Sequence, residues 1–135
     1  SGGQGSGASA SIGQNLAQPD RTVVCLIGDG SLMYAAQALW SAARYGVAVV
    51  FVVMNNGQYK ILRLLGELGG MEEEGLPGMD LPGLDIVGLA RSLGCEGETV
   101  EHPGELTDAF DRAFEVERPY VVEALVDPEV PKTLG

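Results

Sequence analysis

Two short polar breaks interrupt long apolar runs in this chain: Gly28-Asp29-Gly30-Ser31 and Asn55-Asn56-Gly57-Gln58. In the first, Gly28 and Gly30 let the backbone approach a ligand closely. The N–H groups of Gly30, Ser31 and Leu32 open a predicted helix and suit a phosphate. Asp29 brings a negative charge to the same spot, and a carboxylate repels a phosphate unless a cation lies between them. The set therefore asks for a divalent metal bridging Asp29 and a di- or triphosphate. Mg2+ takes oxygen ligands of this kind, one or two from the protein and the rest from phosphates and water. Taken alone, Asp29 equally serves as a helix cap. The second break offers neutral amide oxygens, which are hard ligands without added charge. By itself it is also an ordinary turn.

Apolar patterning says which elements must carry these breaks. Residues 1–11 hold no large apolar side chain and read as a flexible linker. Ile12, Leu16 and Ala17 mark a short helical face before Pro19-Asp20. Thr22–Ile27 and Val47–Met54 are apolar throughout and of strand length. Between them Leu32–Tyr45 has helical spacing, with Gly46 as its C-terminal stop. Gln58–Leu68 is a further helix, and a Gly- and Pro-rich loop covers residues 69–84. Asp85 caps a helix over Ile86–Leu93; Glu98–Glu101 is a short strand, Pro103–Val116 a helix and Tyr120–Val126 the last strand. A charged tail follows.

Strands apolar throughout are buried on both faces, and their alternation with helices makes an α/β fold. We expect a single domain over residues 1–135: a mostly parallel sheet flanked by helices on both faces, a Rossmann-like three-layer arrangement. Such sheets bind ligands at the carboxyl ends of strands, where the winding reverses. The two polar breaks are expected to meet there.

The net charge of −11 is unevenly placed. Two acids and four bases precede Glu67, while 17 acids and four bases follow from it onward. That balance excludes nucleic acid as a partner and leaves the first half free to receive a small anion. No apolar run approaches the roughly 20 residues that span a bilayer, so no membrane is involved. No secretory signal is visible, and the chain opens in a Gly/Ser-rich stretch without Met, as a fragment would. Cys25 and Cys95 lie in separate segments and read as free thiols of a cytoplasmic protein. The single histidine, His102, beside Pro103, reads as a surface residue.

Taken together, the breaks are more specific than either alone. Twenty-four residues lie between Gly30 and Asn55, one helix plus one strand. GDG, that spacing and then NN resembles the signature of thiamine diphosphate enzymes. The stretch GDGSLMYAAQALWSAARYGVAVVFVVMNNGQYKILR resembles the benzoylformate decarboxylase branch, with acetolactate synthases and related 2-oxo acid decarboxylases close behind. LPGMDLPGLD resembles the same branch, and the likeness runs from Gly2 to about Val130. The resemblance implies a thiamine diphosphate-binding fold, thiamine diphosphate and Mg2+ as cofactors, and the diphosphate-gripping role for this domain. It implies Asp29, Asn56 and the backbone oxygen of Gln58 as metal ligands. Gly28, Gly30, Ser31 and Leu32 match the diphosphate-binding segment, and Tyr34 and Tyr59 through Leu62 match positions near the cofactor. Tyr34 and Leu62 read equally well as core residues.

The resemblance also marks what this chain lacks. Family active sites need a second, pyrimidine-binding domain or subunit, whose glutamate starts ylide formation, and no residue here matches it. No catalytic residue is therefore assigned, and the small 2-oxo acid substrate belongs to the full enzyme. Gln4 stands where the family carries a bulky apolar residue, and Ser6, Ala8, Ser9 and Ser11 stand where larger or apolar ones are usual. Gln4, Ser6, Ser9 and Ser11 are expected to face water. Two readings follow: the diphosphate-binding domain of a 2-oxo acid decarboxylase or carboligase, or an engineered or isolated scaffold that keeps the fold without turnover.

Overall fold

The computed structural model describes residues 3–70 and 77–129. Its helices are α1 (Ser6–Ala17), α2 (Asp29–Met33), α3 (Gln37–Tyr45), α4 (Lys60–Leu68), α5 (Ile86–Ser92) and α6 (Leu106–Glu115). Its strands are β1 (Val23–Gly28), β2 (Val49–Asn55), β3 (Glu96–Val100) and β4 (Tyr120–Leu125). The strands form one all-parallel sheet in the order β1-β2-β4-β3. The fold is thus α/β, with a four-stranded parallel sheet between helices.

Strand alternation sorts the side chains into two cores. Cys25 of β1, Phe51 of β2 and Val121 of β4 are register partners, and they point at α1, α3 and α5. Ala8, Ile12, Leu39, Ile86 and Ala90 close that side. Val50, Val52, Tyr120 and Val122 point the other way and meet Ala109 and Ala113 of α6. Each large side chain buried this way contributes roughly 1.5–3 kcal/mol. That burial holds the strand ends, and hence the polar breaks, in place.

Several expectations change. Residues 6–11 are not linker: α1 starts at Ser6. Its inner face is built of small residues, with Ala8 and Ser11 buried, and a Cβ added at Gly7 would lie 3.9 Å from Cys25 Sγ. A helix that packs close to β1 through small residues leaves no large apolar periodicity to read. Ser11 is buried and donates its hydroxyl to the Ala8 carbonyl at 2.8 Å, whereas Gln4, Ser6 and Ser9 are exposed. Gly5 caps the helix at φ 74°, and a Cβ there would meet Ala35 at 2.8 Å. Leu32–Tyr45 is likewise not one helix. It breaks at residues 34–36, where Ala35 occupies the room that Gly5 leaves.

β1 is buried on one face only, with Val24 and Leu26 exposed, because α6 packs on β4 and β3. The winding does not reverse between β1 and β2. The steps β1 to β2 and β2 to β3 run one way, and only β3 to β4 turns back, with its helix on the other face. The polar breaks meet because β1 and β2 are parallel neighbours, with Gly28 opposite Met54. Within the expected loop, residues 71–76 lie outside the described residues, as do Gly2 and the tail over 130–135. Cys25 and Cys95 are buried free thiols. Burial pushes both up, Cys95 to about 11, which favours the thiol over the thiolate. His102 is exposed, and no helix among the described residues is long and apolar enough to cross a membrane.

Candidate functional site

β1 delivers Asp29 directly into α2, and the side chain is only 2 % exposed. Its Oδ1 accepts the Gly30 N–H at 2.8 Å and its Oδ2 accepts the Gly57 N–H at 2.8 Å. Among the described residues no lysine, arginine or histidine forms an ion pair with it. A buried carboxylate held only by neutral donors is costly unless a cation joins it. The Gly57 bond also ties the end of β1 to the turn after β2.

That turn is fixed by its own side chains. Asn55 Oδ1 accepts the Gly57 N–H at 3.0 Å, and Asn56 Oδ1 accepts the Gln58 N–H at 3.1 Å. A short antiparallel bridge joins Gln58 to Asp80. Its bonds come from the neighbours: Leu81 N–H donates to the Gly57 carbonyl at 2.8 Å, and Tyr59 N–H to the Met79 carbonyl at 2.7 Å. In such a pair the carbonyl of the bridging residue points away from the partner strand. The Gln58 carbonyl is therefore turned away from residues 79–81. Arg63 pairs with Asp80 at 2.5 Å and holds that segment against α4.

Gly28, Asp29, Gly30, Ser31, Asn56, Gln58 and Tyr59 line one cavity of about 170 Å³, together with Gln4, Met54, Lys60 and Ile61. Gly30 must lack a side chain here, since a Cβ would meet the Tyr59 ring at 2.6 Å. A larger cavity of about 520 Å³ lies near Asn15, Tyr45 and Glu117, beside the start of β2. Parallel sheets bind ligands at the carboxyl ends of their strands, where a mostly apolar cavity of about 330 Å³ beside Val100, Phe110 and Leu125 also lies; the smallest cavity is the candidate because both polar breaks line it. Its volume is well below the roughly 300–1,000 Å³ of sites that enclose a whole ligand.

Three expected residues do not line it. Leu32 is fully buried in the core, Tyr34 is exposed and packs edge-on against Tyr59 at 6.1 Å between centroids, and Leu62 lies off the cavity on α4. The Gly30 N–H is taken by Asp29, which faces it from the preceding residue. α2 has only five residues, so its dipole adds little to anion binding. Gln4 accepts a hydrogen bond from the Ser31 hydroxyl, which places the unusual glutamine on the cavity rim. Sequence reasoning missed Met54, and it offered the amide oxygens of the Asn55-Asn56 break without singling out Asn55. It also missed Glu123, which is 5 % exposed on β4. A charged residue inside YVVEALV was the available signal.

The oxygen types suit a hard cation: one carboxylate, one side-chain amide oxygen and one backbone carbonyl turned away from residues 79–81. Among the described residues no group of three His, Cys, Asp or Glu could hold a metal. The family model described as thiamine pyrophosphate enzyme, C-terminal TPP binding domain, matches residues 1–124. Benzoylformate decarboxylase of Pseudomonas aeruginosa is 43 % identical over 122 residues, covering 90 % of this chain and 23 % of that protein. The solved thiamine diphosphate-dependent 4-hydroxybenzoylformate decarboxylase of Rhodococcus jostii RHA1 is similar at TM-score 0.85 and 41 % identity, over 93 % of this chain and 23 % of that one. Benzoylformate decarboxylase from Polynucleobacter necessarius is similar at TM-score 0.86 and 32 % identity, over 97 % and 25 %. The chain thus spans about a quarter of these relatives' length.

Proposed function

The chain belongs to the thiamine pyrophosphate enzyme family as its C-terminal TPP-binding domain, and from that premise we propose that it grips the cofactor's diphosphate through Mg2+, as one domain of a 2-oxo acid decarboxylase or carboligase. The observation that carries this reading is Asp29: buried, without a cationic partner among the described residues, and bonded to the turn that presents Asn56 and Gln58. In this reading Asp29, the Asn56 amide oxygen and the Gln58 carbonyl hold the ion. The diphosphate completes its shell, as Mg2+ sites with phosphate ligands do. Ser31 and Lys60, on the same cavity, would offer a hydroxyl and a positive charge to the diphosphate. When bound, thiamine diphosphate supplies the electron sink for loss of carbon dioxide from a 2-oxo acid. The protein's part here is to position the cofactor and keep water from one side of it.

The activities named for the relatives support a benzoylformate-like substrate class for the full enzyme. The small cavity and the quarter-length span support a further pyrimidine-binding domain or subunit as partner. The chain alone is then a binding module without turnover. The buried free thiols support a reducing, cytoplasmic setting. Titration calorimetry with thiamine diphosphate, with and without Mg2+, tests the binding. Heat that appears only with Mg2+ is expected, and equal binding in both overturns the reading. Steady decarboxylation of benzoylformate by the lone chain overturns the binding-module assignment.

A further inference from the structure

Glu123 lies on β4, buried between β2 and β3, and the cofactor-binding reading gives it no part. Both of its carboxylate oxygens are in use. Oε1 accepts Asn55 Nδ2 at 2.7 Å, and Oε2 accepts the Thr99 hydroxyl at 2.7 Å. No lysine, arginine or histidine among the described residues pairs with it. Burying a carboxylate against two neutral donors is expensive, and an apolar residue would suit this strand better on stability alone. Its bonds lead toward the site. Asn55 is held through its NH2 by Glu123, which turns its oxygen onto the Gly57 N–H at 3.0 Å. The same Gly57 N–H donates to Asp29 Oδ2 at 2.8 Å. One continuous line therefore runs Thr99, Glu123, Asn55, Gly57, Asp29.

We propose that Glu123 is a positioning residue. It fixes which way the Asn55 amide faces, and so the turn whose next residues, Asn56 and Gln58, line the Asp29 cavity. An amide without such an acceptor can rotate its NH2 toward Gly57, where two donors would oppose each other. The turn then loses one of the two acceptors that hold Gly57. The inference rests on the Mg2+-diphosphate reading for its effect on binding, but its structural half stands apart from that reading.

The test uses the 135-residue chain and two side chains of similar length. Glu123→Met removes both acceptors with little change in volume. Glu123→Gln removes the charge but can keep an oxygen on Asn55, because the Thr99 hydroxyl can switch from donor to acceptor. Calorimetry with Mg2+ and thiamine diphosphate should show Glu123→Met weakened by roughly 10-fold, the low end of the range for a direct partner of a ligand, because Asn55 and Gly57 lie between Glu123 and Asp29. Glu123→Gln should recover most of that loss. Asn55→Ala in the Glu123→Met background should add little, since both changes cut the same line. Amide hydrogen exchange at Gly57 in the unliganded chain should speed up in Glu123→Met and remain slow in Glu123→Gln. Wild-type affinity in Glu123→Met, or a Gln variant as weak as the Met variant, overturns the proposal. If the wild-type chain shows no Mg2+-dependent binding, the binding reading fails. The Gly57 exchange rates then decide the positioning role: unchanged exchange in Glu123→Met overturns it.

Discussion

The acids on the outer edge strand and those at the carboxyl end of the sheet meet opposite partners. On β3, Glu98 takes a two-pronged contact from Arg112, at 2.9 and 2.6 Å, and Glu96 pairs with Arg118 at 2.7 Å. All four side chains are at least partly in water. At the strand ends, Asp29 and Glu123 are buried and meet only N–H and O–H groups. The edge pairs blunt an open strand edge, where charge discourages stray pairing at little energetic consequence. The inner carboxylates gain nothing comparable. Their fixed neutral donors aim them without cancelling their charge, which at Asp29 is what the proposed cation binding requires. Charge counted along the sequence therefore misleads: the acidic second half holds most of the acids, but the acid that carries the binding proposal is Asp29, in the nearly neutral first half.

The contrast is broken most directly at Asp29. Asp29→Asn keeps the shape and removes the charge. Mg2+-dependent affinity for thiamine diphosphate should fall by about a hundredfold or more, the loss expected when a buried charged contact of roughly 3 kcal/mol goes. The unliganded melting temperature should move by no more than ~4–8 °C, the scale of about 1 kcal/mol. Calorimetry and thermal melts read the two quantities separately. A variant that melts far earlier yet binds as before would make Asp29 a structural acid like Glu98.

A smaller effect is expected at the edge. Arg112→Ala and Arg118→Ala should each lower the urea midpoint slightly and leave cofactor binding unchanged. About 1 M salt, where the Debye length is roughly 3 Å, should narrow the gap between wild type and variants. A binding defect in either variant would mean that the two regions are coupled.

The smallest effect is a pH signature. The Arg112 guanidinium beside Glu98 holds its carboxyl below the ordinary 4.5, against the opposing pull of burial. A folded value below the unfolded one adds stability that is present above the unfolded value and lost as pH falls through the folded one. The difference in urea midpoint between wild type and Glu98→Gln should be steady near neutrality and shrink below about pH 4.5. Tyr120, pushed up by burial and by the Glu98 carboxylate, contributes in the opposite window. Its share is present below its ordinary 10.0 and fades as pH rises through its folded value. A midpoint difference that is flat across the acid range would show Glu98 to be unlinked to folding.

Much of this was legible in residue order. TVVCLI, VVFVVMN and YVVEALV are strands because β-rich apolar runs suit a sheet, and Gly- and Asn-bearing breaks end the first two while Asp127-Pro128 follows the third. Asp85 was legible as a cap and accepts the Gly88 N–H at 2.7 Å. α1 was not legible, because its buried face is Ala8 and Ser11, small residues whose burial depends on what they touch. The split between α2 and α3 depends on Gly5, 30 residues before Ala35, and no local pattern reports it. Glu123 looked like one more acid in an acidic half.

The sequence by itself determined which strand ends carry Asp29 and Asn56, the oxygen-bearing groups on which the Mg2+ and diphosphate proposal rests. Only the tertiary structure decided which of those groups face each other. The strand order puts β2 between β1 and β4, so Asn55 reaches Glu123 across one strand spacing while Gly57 reaches Asp29 across the other. Hydrogen bonds act over about 3 Å. Residues 68 apart in the chain, as Asn55 and Glu123 are, enter that range only through the register of the sheet.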